Sequence, residues 1–267
     1  MNNQPIGIFD SGVGGLTVAS AVMEVMPREE IIYFGDTARV PYGTKSAETV
    51  TRFSRQIIRF LLSKNVKVII AACNTVSAVS LKQLRKDFDI PIFGVVEPGV
   101  DSALAATKNN KVGIIGTAAT IKSGAYENIM HEKNGNIEVF SQACPLFVPL
   151  AEEGWEDTLV SKLTAEKYLE PLVEKGIDSL VLGCTHYPLL YNCIKSVAGE
   201  NIELVNPAKA TAQCVYDYLI SKNELNEEDK IKEHKFYVSD MTDKLDIICK
   251  KTLKNDFPLE KIDIERY

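Results

Sequence analysis

The chain has 267 residues, 45% of them hydrophobic and 25% charged, with a formal net charge of −6. That length suffices for one large domain or two modest ones, each burying its own core. A mildly acidic chain without a basic stripe argues against nucleic acid or an anionic membrane as partner, and no run of about 18 apolar residues marks a membrane span.

The N-terminus shows no basic n-region, apolar h-region or small-residue cleavage site, so no signal peptide is expected and the cytoplasm is the expected compartment. Short apolar runs predict strands at Ile6–Phe9, Ile31–Phe34, Val66–Ala71, Ile92–Val95, Val112–Ile115, Ile137–Phe140, Ser179–Leu182 and Ile202–Val205. Between them, apolar residues recur at helical spacing. Leu16–Met26 is stopped by Pro27, and Ser46–Ser63 carries Val50, Phe53, Ile57, Phe60 and Leu61 on one face. An amphipathic helix is predicted after Cys73, with Val79, Leu81, Leu84 and Phe88 on its apolar side. Asn223–Glu233 reads as a solvated loop or frayed helix end, Lys235–Val238 as a further strand, and Asp243–Leu253 as a helix. Strands alternating with helices in this way predict an α/β protein with mainly parallel sheets.

Two stretches of the chain echo each other. Ile6-Gly7-Ile8-Phe9-Asp10-Ser11 resembles Val112-Gly113-Ile114-Ile115-Gly116-Thr117, and Val40-Pro41 resembles Val148-Pro149. Val68-Ile69-Ile70-Ala71-Ala72-Cys73-Asn74-Thr75 resembles Ser179-Leu180-Val181-Leu182-Gly183-Cys184-Thr185-His186. The matches keep their order and a nearly constant spacing, which predicts two similar α/β halves, each with a cysteine at the end of its third strand.

Most cysteines in α/β proteins are small buried hydrophobes, and Cys144, Cys193, Cys214 and Cys249 are read that way. No C-x-x-C pair is present, so reduced thiols are expected; no histidine pairs with a cysteine at ligand spacing, so no metal is. Cys73 and Cys184 differ because of their matched positions. Each follows an apolar strand, where helix N-termini present free N–H groups that favour a thiolate. Asn74 and Thr75 suit capping and anion binding, and His186 stands beside Cys184 as a candidate acid or base. Two facing thiols suit a reaction that takes a proton from one face of a carbon and returns one to the other, each thiol serving as base in one direction and acid in the reverse.

Asp10-Ser11-Gly12-Val13-Gly14-Gly15 reads either as a tight strand–helix turn or as close backbone approach to a ligand. A dinucleotide site is disfavoured, although Gly12 and Gly14 fit and Asp36 is suitably placed. Thr17 occupies the third glycine position, and Asp10 would face the pyrophosphate.

The segments Phe9–Leu16, Gly35–Gly43, Ala72–Thr75 and Gly183–Leu189 together resemble the bacterial glutamate racemases, and the resemblance runs from the first strand to at least Pro207. It implies two similar doubly wound, mainly parallel-sheet domains with the active site in the cleft between them. Residues 1–97 plus 207–267 would form the first domain and 98–206 the second. By the same resemblance Cys73 and Cys184 are the catalytic bases, Cys73 acting on D-glutamate and Cys184 on L-glutamate. Asp10 assists Cys73, His186 assists Cys184, and Glu152 is a third assisting acid, with Glu153 adjacent. Substrate contacts fall on Asp10, Ser11, Tyr42, Gly43, Asn74, Thr75, Thr185 and His186. The family needs no cofactor and no metal, supplies D-glutamate for peptidoglycan, and commonly forms homodimers. Some members carry an N-terminal extension tied to activation by a wall precursor; with four residues before Pro5, no such activation is expected.

Three alternatives stay open from the sequence. They are an aspartate or other amino-acid racemase of the same fold, a one-cysteine relative that decarboxylates or hydrolyses, and a non-catalytic amino-acid-binding protein.

Overall fold

A computed structural model describes residues 2–228, 233–241, 243–253, 255 and 257–267. Its strands are β1 (Ile6–Asp10), β2 (Ile31–Gly35), β3 (Val68–Ala71), β4 (Ile92–Gly94), β5 (Lys111–Gly116), β6 (Glu138–Ala143), β7 (Ser179–Gly183), β8 (Glu203–Val205), β9 (Lys235–Val238) and β10 (Leu259–Lys261). β1, β2, β3 and β7 are buried along their whole length. Continuous apolar runs of this kind belong to parallel strands covered on both faces.

The strands form two sheets, one ordered β10-β9-β2-β1-β3-β4 and the other β6-β5-β7-β8. Every pairing is parallel. The segment β2-β1-β3-β4 and the sheet β6-β5-β7-β8 have the same order, so the internal echo in the sequence reflects a repeated topology. Both reverse direction between their first and third strands. Ligands in open α/β sheets bind at such a reversal, beyond the carboxyl ends of the strands.

Helices cover both faces of each sheet. On the first sheet, Leu16, Val18, Ala19 and Val22 pack with Ala212, Val215 and Leu219 on one face. Val50, Ile57, Phe60 and Leu61 pack on the other. The second sheet has Ala165, Leu169 and Leu172 on one side and Val96, Val100, Tyr126 and Met130 on the other. The helix Pro207–Ser221 lies against Leu16–Val25, so the chain returns to the first lobe, where β9 and β10 extend the sheet. Among the described residues, no helix is long and apolar enough to cross a membrane.

Three local features differ from the sequence reading. The helix after Cys73 is two helices, Asn74–Val79 and Leu81–Asp87, with Ser80 at φ −126° and ψ −24° between them. The Ser80 hydroxyl shares a 2.8 Å hydrogen bond with that of Thr51, a tertiary contact that local periodicity does not encode. Val40-Pro41 and Val148-Pro149 are not structural equivalents: the first precedes a 3-10 turn at Tyr42–Thr44, the second lies inside the helix Phe147–Glu152. β10 is an additional strand, short and half exposed at the sheet edge. Residues 229–232 of the expected polar loop lie outside the described residues.

Candidate active site

The register of each sheet brings its functional residues together. Phe9 pairs with Ala71, so Asp10-Ser11 and Cys73 leave the first sheet side by side. Gly116 pairs with Gly183, so Thr117 and Cys184 leave the second sheet in the same way. The two ends face each other across one small cleft that both Cys73 and Cys184 line. Ser11, Tyr42, Gly43, Asn74 and Thr75 line it from the first lobe, Thr185 and His186 from the second.

Cys73 is buried and caps the helix Asn74–Val79, and its Sγ donates to Ser11 Oγ at 3.6 Å. Burial pushes the thiol up to about 12, helped by the charge of Asp10 and opposed by the Val76 N–H and the Ser11 hydroxyl. The helix terminus does favour the thiolate, as expected from the sequence, but desolvation outweighs it. In the closed site Cys73 is a neutral thiol. Asp10 is itself fully buried, accepting from Gly12 N at 3.0 Å and, across the cleft, from Thr185 Oγ1 at 3.3 Å. Its carboxyl is raised above the ordinary 3.8 by burial, against the opposing charge of His186 and hydrogen bonds from Gly15, Gly12 and Thr185.

Cys184 has a different companion. Its Sγ lies 3.9 Å from His186 Nδ1, and the far side of the ring, Nε2, lies 3.0 Å from Glu152 Oε1. Burial alone would lower the His186 pKa. The hydrogen bonds and charges of Cys184 and Glu152 overcome it and push the imidazole up to about 10. At neutral pH His186 is therefore a cation held between Glu152 and Cys184. Of the adjacent pair Glu152 and Glu153, it is Glu152 that meets the ring.

The glycines of the Asp10–Gly15 turn make room for protein. A Cβ on Gly14 would lie 2.5 Å from Thr185 Oγ1 and 2.7 Å from His186 Nδ1, and one on Gly15 would lie 2.4 Å from Asp10 Cβ. Gly43 repeats the device: its Cβ would stand 2.4 Å from Thr117 Cβ. Asp36, suitably placed for a dinucleotide site in the sequence, is occupied by the fold. It accepts from Arg39 Nε at 2.7 Å, from Ser239 Oγ at 2.8 Å and from the Tyr42 hydroxyl, fixing the loop that carries Tyr42 and Gly43. Asn74 Oδ1 accepts from Tyr126 OH of the second lobe at 2.6 Å.

Val40, Pro41, Thr117 and Val148 also line the cleft; in the sequence they stood out only as repeat positions, not as site residues. Thr117 was within reach, since the repeat aligns it with Ser11. Its hydroxyl shares hydrogen bonds with Thr75 at 2.9 Å and Thr120 at 3.0 Å. Asp10 and Glu152 lie behind the cleft wall, touching it through Thr185 and His186. Among the described residues, no group of three or more His, Cys, Asp and Glu side chains could hold a metal ion.

Two parallel-sheet lobes, each ending a third strand in a cysteine at a shared cleft, match a known class: residues 17–215 fit the family model of the Asp/Glu/hydantoin racemases. The chain is 51% identical over 236 residues to the glutamate racemase of Geobacter metallireducens, covering 88% of this chain and 87% of that one. It is 46% identical over 261 residues to that of Syntrophus aciditrophicus, covering 97% of each. The crystal structure of Francisella tularensis glutamate racemase in complex with D-glutamate matches with a TM-score of 0.93 at 40% identity over the whole of both chains. The chain belongs to the Asp/Glu/hydantoin racemase family, and within it to the glutamate racemases; it is an enzyme of the isomerase class.

Proposed function

We propose that the protein interconverts L- and D-glutamate by proton transfer at Cα between Cys73 and Cys184, without a cofactor. The observation that carries this reading is the placement of the two thiols at equivalent strand ends of two lobes, lining one cleft. The complex of the Francisella relative with D-glutamate supports the choice of substrate.

In one direction Cys73 first releases its thiol proton to solvent as substrate enters, and the thiolate then takes the α-proton from D-glutamate while the Cys184 thiol delivers its own proton to the opposite face. Cys73 is left as thiol and Cys184 as thiolate. The reverse reaction exchanges the roles, and exchange with solvent resets the pair. Protonated His186, 3.9 Å from Cys184 Sγ and anchored by Glu152, is placed to balance the charge of the Cys184 thiolate formed in this step, or to return a proton to it. Asp10 and Ser11 serve Cys73 on the other side, the first from behind the wall, the second by direct hydrogen bond. Ser11, Tyr42, Gly43, Asn74, Thr75 and Thr185 hold the substrate carboxylates, and donors aimed at the α-carboxylate stabilise the charge that develops as the proton leaves. The burial of both cysteines fits a site that excludes water during the transfer. The same reading assigns the protein to the cytoplasm as a homodimer, supplying D-glutamate for peptidoglycan.

Protein stripped of metals and small molecules should drive the ellipticity of a D-glutamate solution to zero, and that of L-glutamate likewise. Unchanged ellipticity would overturn the reading, and faster turnover of D-aspartate than of D-glutamate would move the substrate to aspartate.

A further inference from the structure

Next to the catalytic cleft lies a second, wider chamber on the same seam between the lobes. Gly43 lines both spaces, and Ala118, which lines the outer one, follows Thr117 of the inner. The first lobe contributes the 3-10 turn at Tyr42–Thr44 with Lys45 and Ser46, the second the helix Ala118–Ser123 with Lys122. The two lysines thus line one chamber from opposite lobes. Neither has an ion-pair partner among the described residues, and no acidic side chain lines the chamber. Ser46 caps the helix Ala47–Ser63, accepting from Thr49 N at 3.2 Å, so the N-terminus of a 17-residue helix opens at the same place, with Glu48 in its first turn offsetting part of its positive end.

We infer that this chamber is the entry vestibule for the anionic amino-acid substrate, with Lys45 and Lys122 drawing its carboxylates toward the Gly43–Thr117 constriction. The inference rests on the reaction proposed above. A protein of net charge −6 repels an anion at long range, and a local cationic mouth with low-dielectric walls reverses that repulsion where arrival matters. Some surface lysines and arginines are paired with carboxylates, as in Arg55–Asp87, Lys133–Asp101 and Lys261–Asp240. What sets Lys45 and Lys122 apart is position: they line the chamber beside the cleft from opposite lobes, with no acidic side chain in its lining. Their part ends with arrival; the buried polar groups of the inner cleft then hold the substrate.

The test is kcat/KM for D-glutamate across a potassium chloride series, in the wild type, Lys45→Gln, Lys122→Gln and the double variant. Two charges acting on a singly charged substrate through water at 8–10 Å change its local concentration roughly two- to five-fold at low salt. The wild-type kcat/KM should therefore fall as salt rises. The double variant should start two- to five-fold lower (a rise in KM at unchanged kcat) and respond little to salt, while Lys45→Arg with Lys122→Arg should restore the wild-type profile. Variants that match the wild type at every salt concentration, or that lose kcat at unchanged KM, would overturn the vestibule. A wild type that does not racemise glutamate at any salt concentration would instead overturn the reaction on which it rests.

Discussion

At the scale of single residues, the two thiols are alike in chemistry and unlike in surroundings. Cys73 is held neutral by burial and by Asp10, with only a serine hydroxyl and a helix N–H to favour its anion. Cys184 has a protonated imidazole beside it and a carboxylate behind that. Removing either thiol removes one of two essential proton carriers, so Cys73→Ser and Cys184→Ser should each lower kcat by about 10²- to 10⁴-fold, the range for a lost acid–base group. Polarimetric assay of both enantiomers checks this; near-wild-type turnover by either variant would leave a one-thiol mechanism. The same residues shape the response to alkali. His186 keeps its proton up to about 10 in the fold against an ordinary 6.5, and Cys73 keeps its own up to about 12 against 9.0. A group with a raised folded pKa contributes stability that is full below the unfolded value and is lost as pH rises through the folded one. The free energy of urea unfolding should therefore fall from pH 6.5 toward pH 10, with His186 the main cause until Cys73 joins above pH 9. His186→Gln should flatten the lower part of that slope, and an unchanged slope would show that the imidazole is not held as a cation.

At the scale of elements, strand ends and turns carry the site. Gly43 sits in a 3-10 turn that the opposite lobe touches, and even one methyl group there would press on Thr117. Gly43→Ala should hold the seam open and lower kcat/KM on the order of 10²-fold, the scale of a misplacement of about an ångström, while far-UV circular dichroism stays that of the folded protein. Activity equal to wild type would mean that the lobes need not meet at this point. The elements themselves were legible to different degrees. Eight strands and Lys235–Val238 announced themselves as apolar runs, most plainly β1, β2, β3 and β7, which are buried on both faces. β10 did not, since Leu259-Glu260-Lys261 is a short edge segment whose pairing with β9 gives no periodic signal. The break at Ser80 and the grip of Asp36 on Ser239 depend on partners distant in the chain, and spacing along a sequence cannot report those. Of the site, Cys73 and Cys184 were visible through the repeat, while Glu152 came from resemblance alone and only geometry separates it from Glu153. Thr117 lay in the repeat without the chemistry that would have singled it out.

At the scale of the whole molecule, the repeated order of strands explains why one cleft can serve a reaction with mirror-image ends. Each half supplies a strand reversal, a hydroxyl and a thiol: Ser11 and Cys73 in one, Thr117 and Cys184 in the other. The halves are tied across the seam by Tyr126 with Asn74, Thr117 with Thr75, and Thr185 with Asp10. The central claim is that two different thiols act on the two faces of Cα, and hydrogen isotopes test it most directly. D-glutamate is incubated with the wild-type enzyme in deuterium oxide, stopped at low conversion, and the enantiomers are separated and weighed by mass spectrometry. With two bases, the incoming hydrogen comes from a thiol equilibrated with solvent, so the L-glutamate formed should carry deuterium at Cα while recovered D-glutamate keeps its protium. L-glutamate that retains the substrate's own hydrogen would contradict the account, because it would mean that one group both removes and returns the proton.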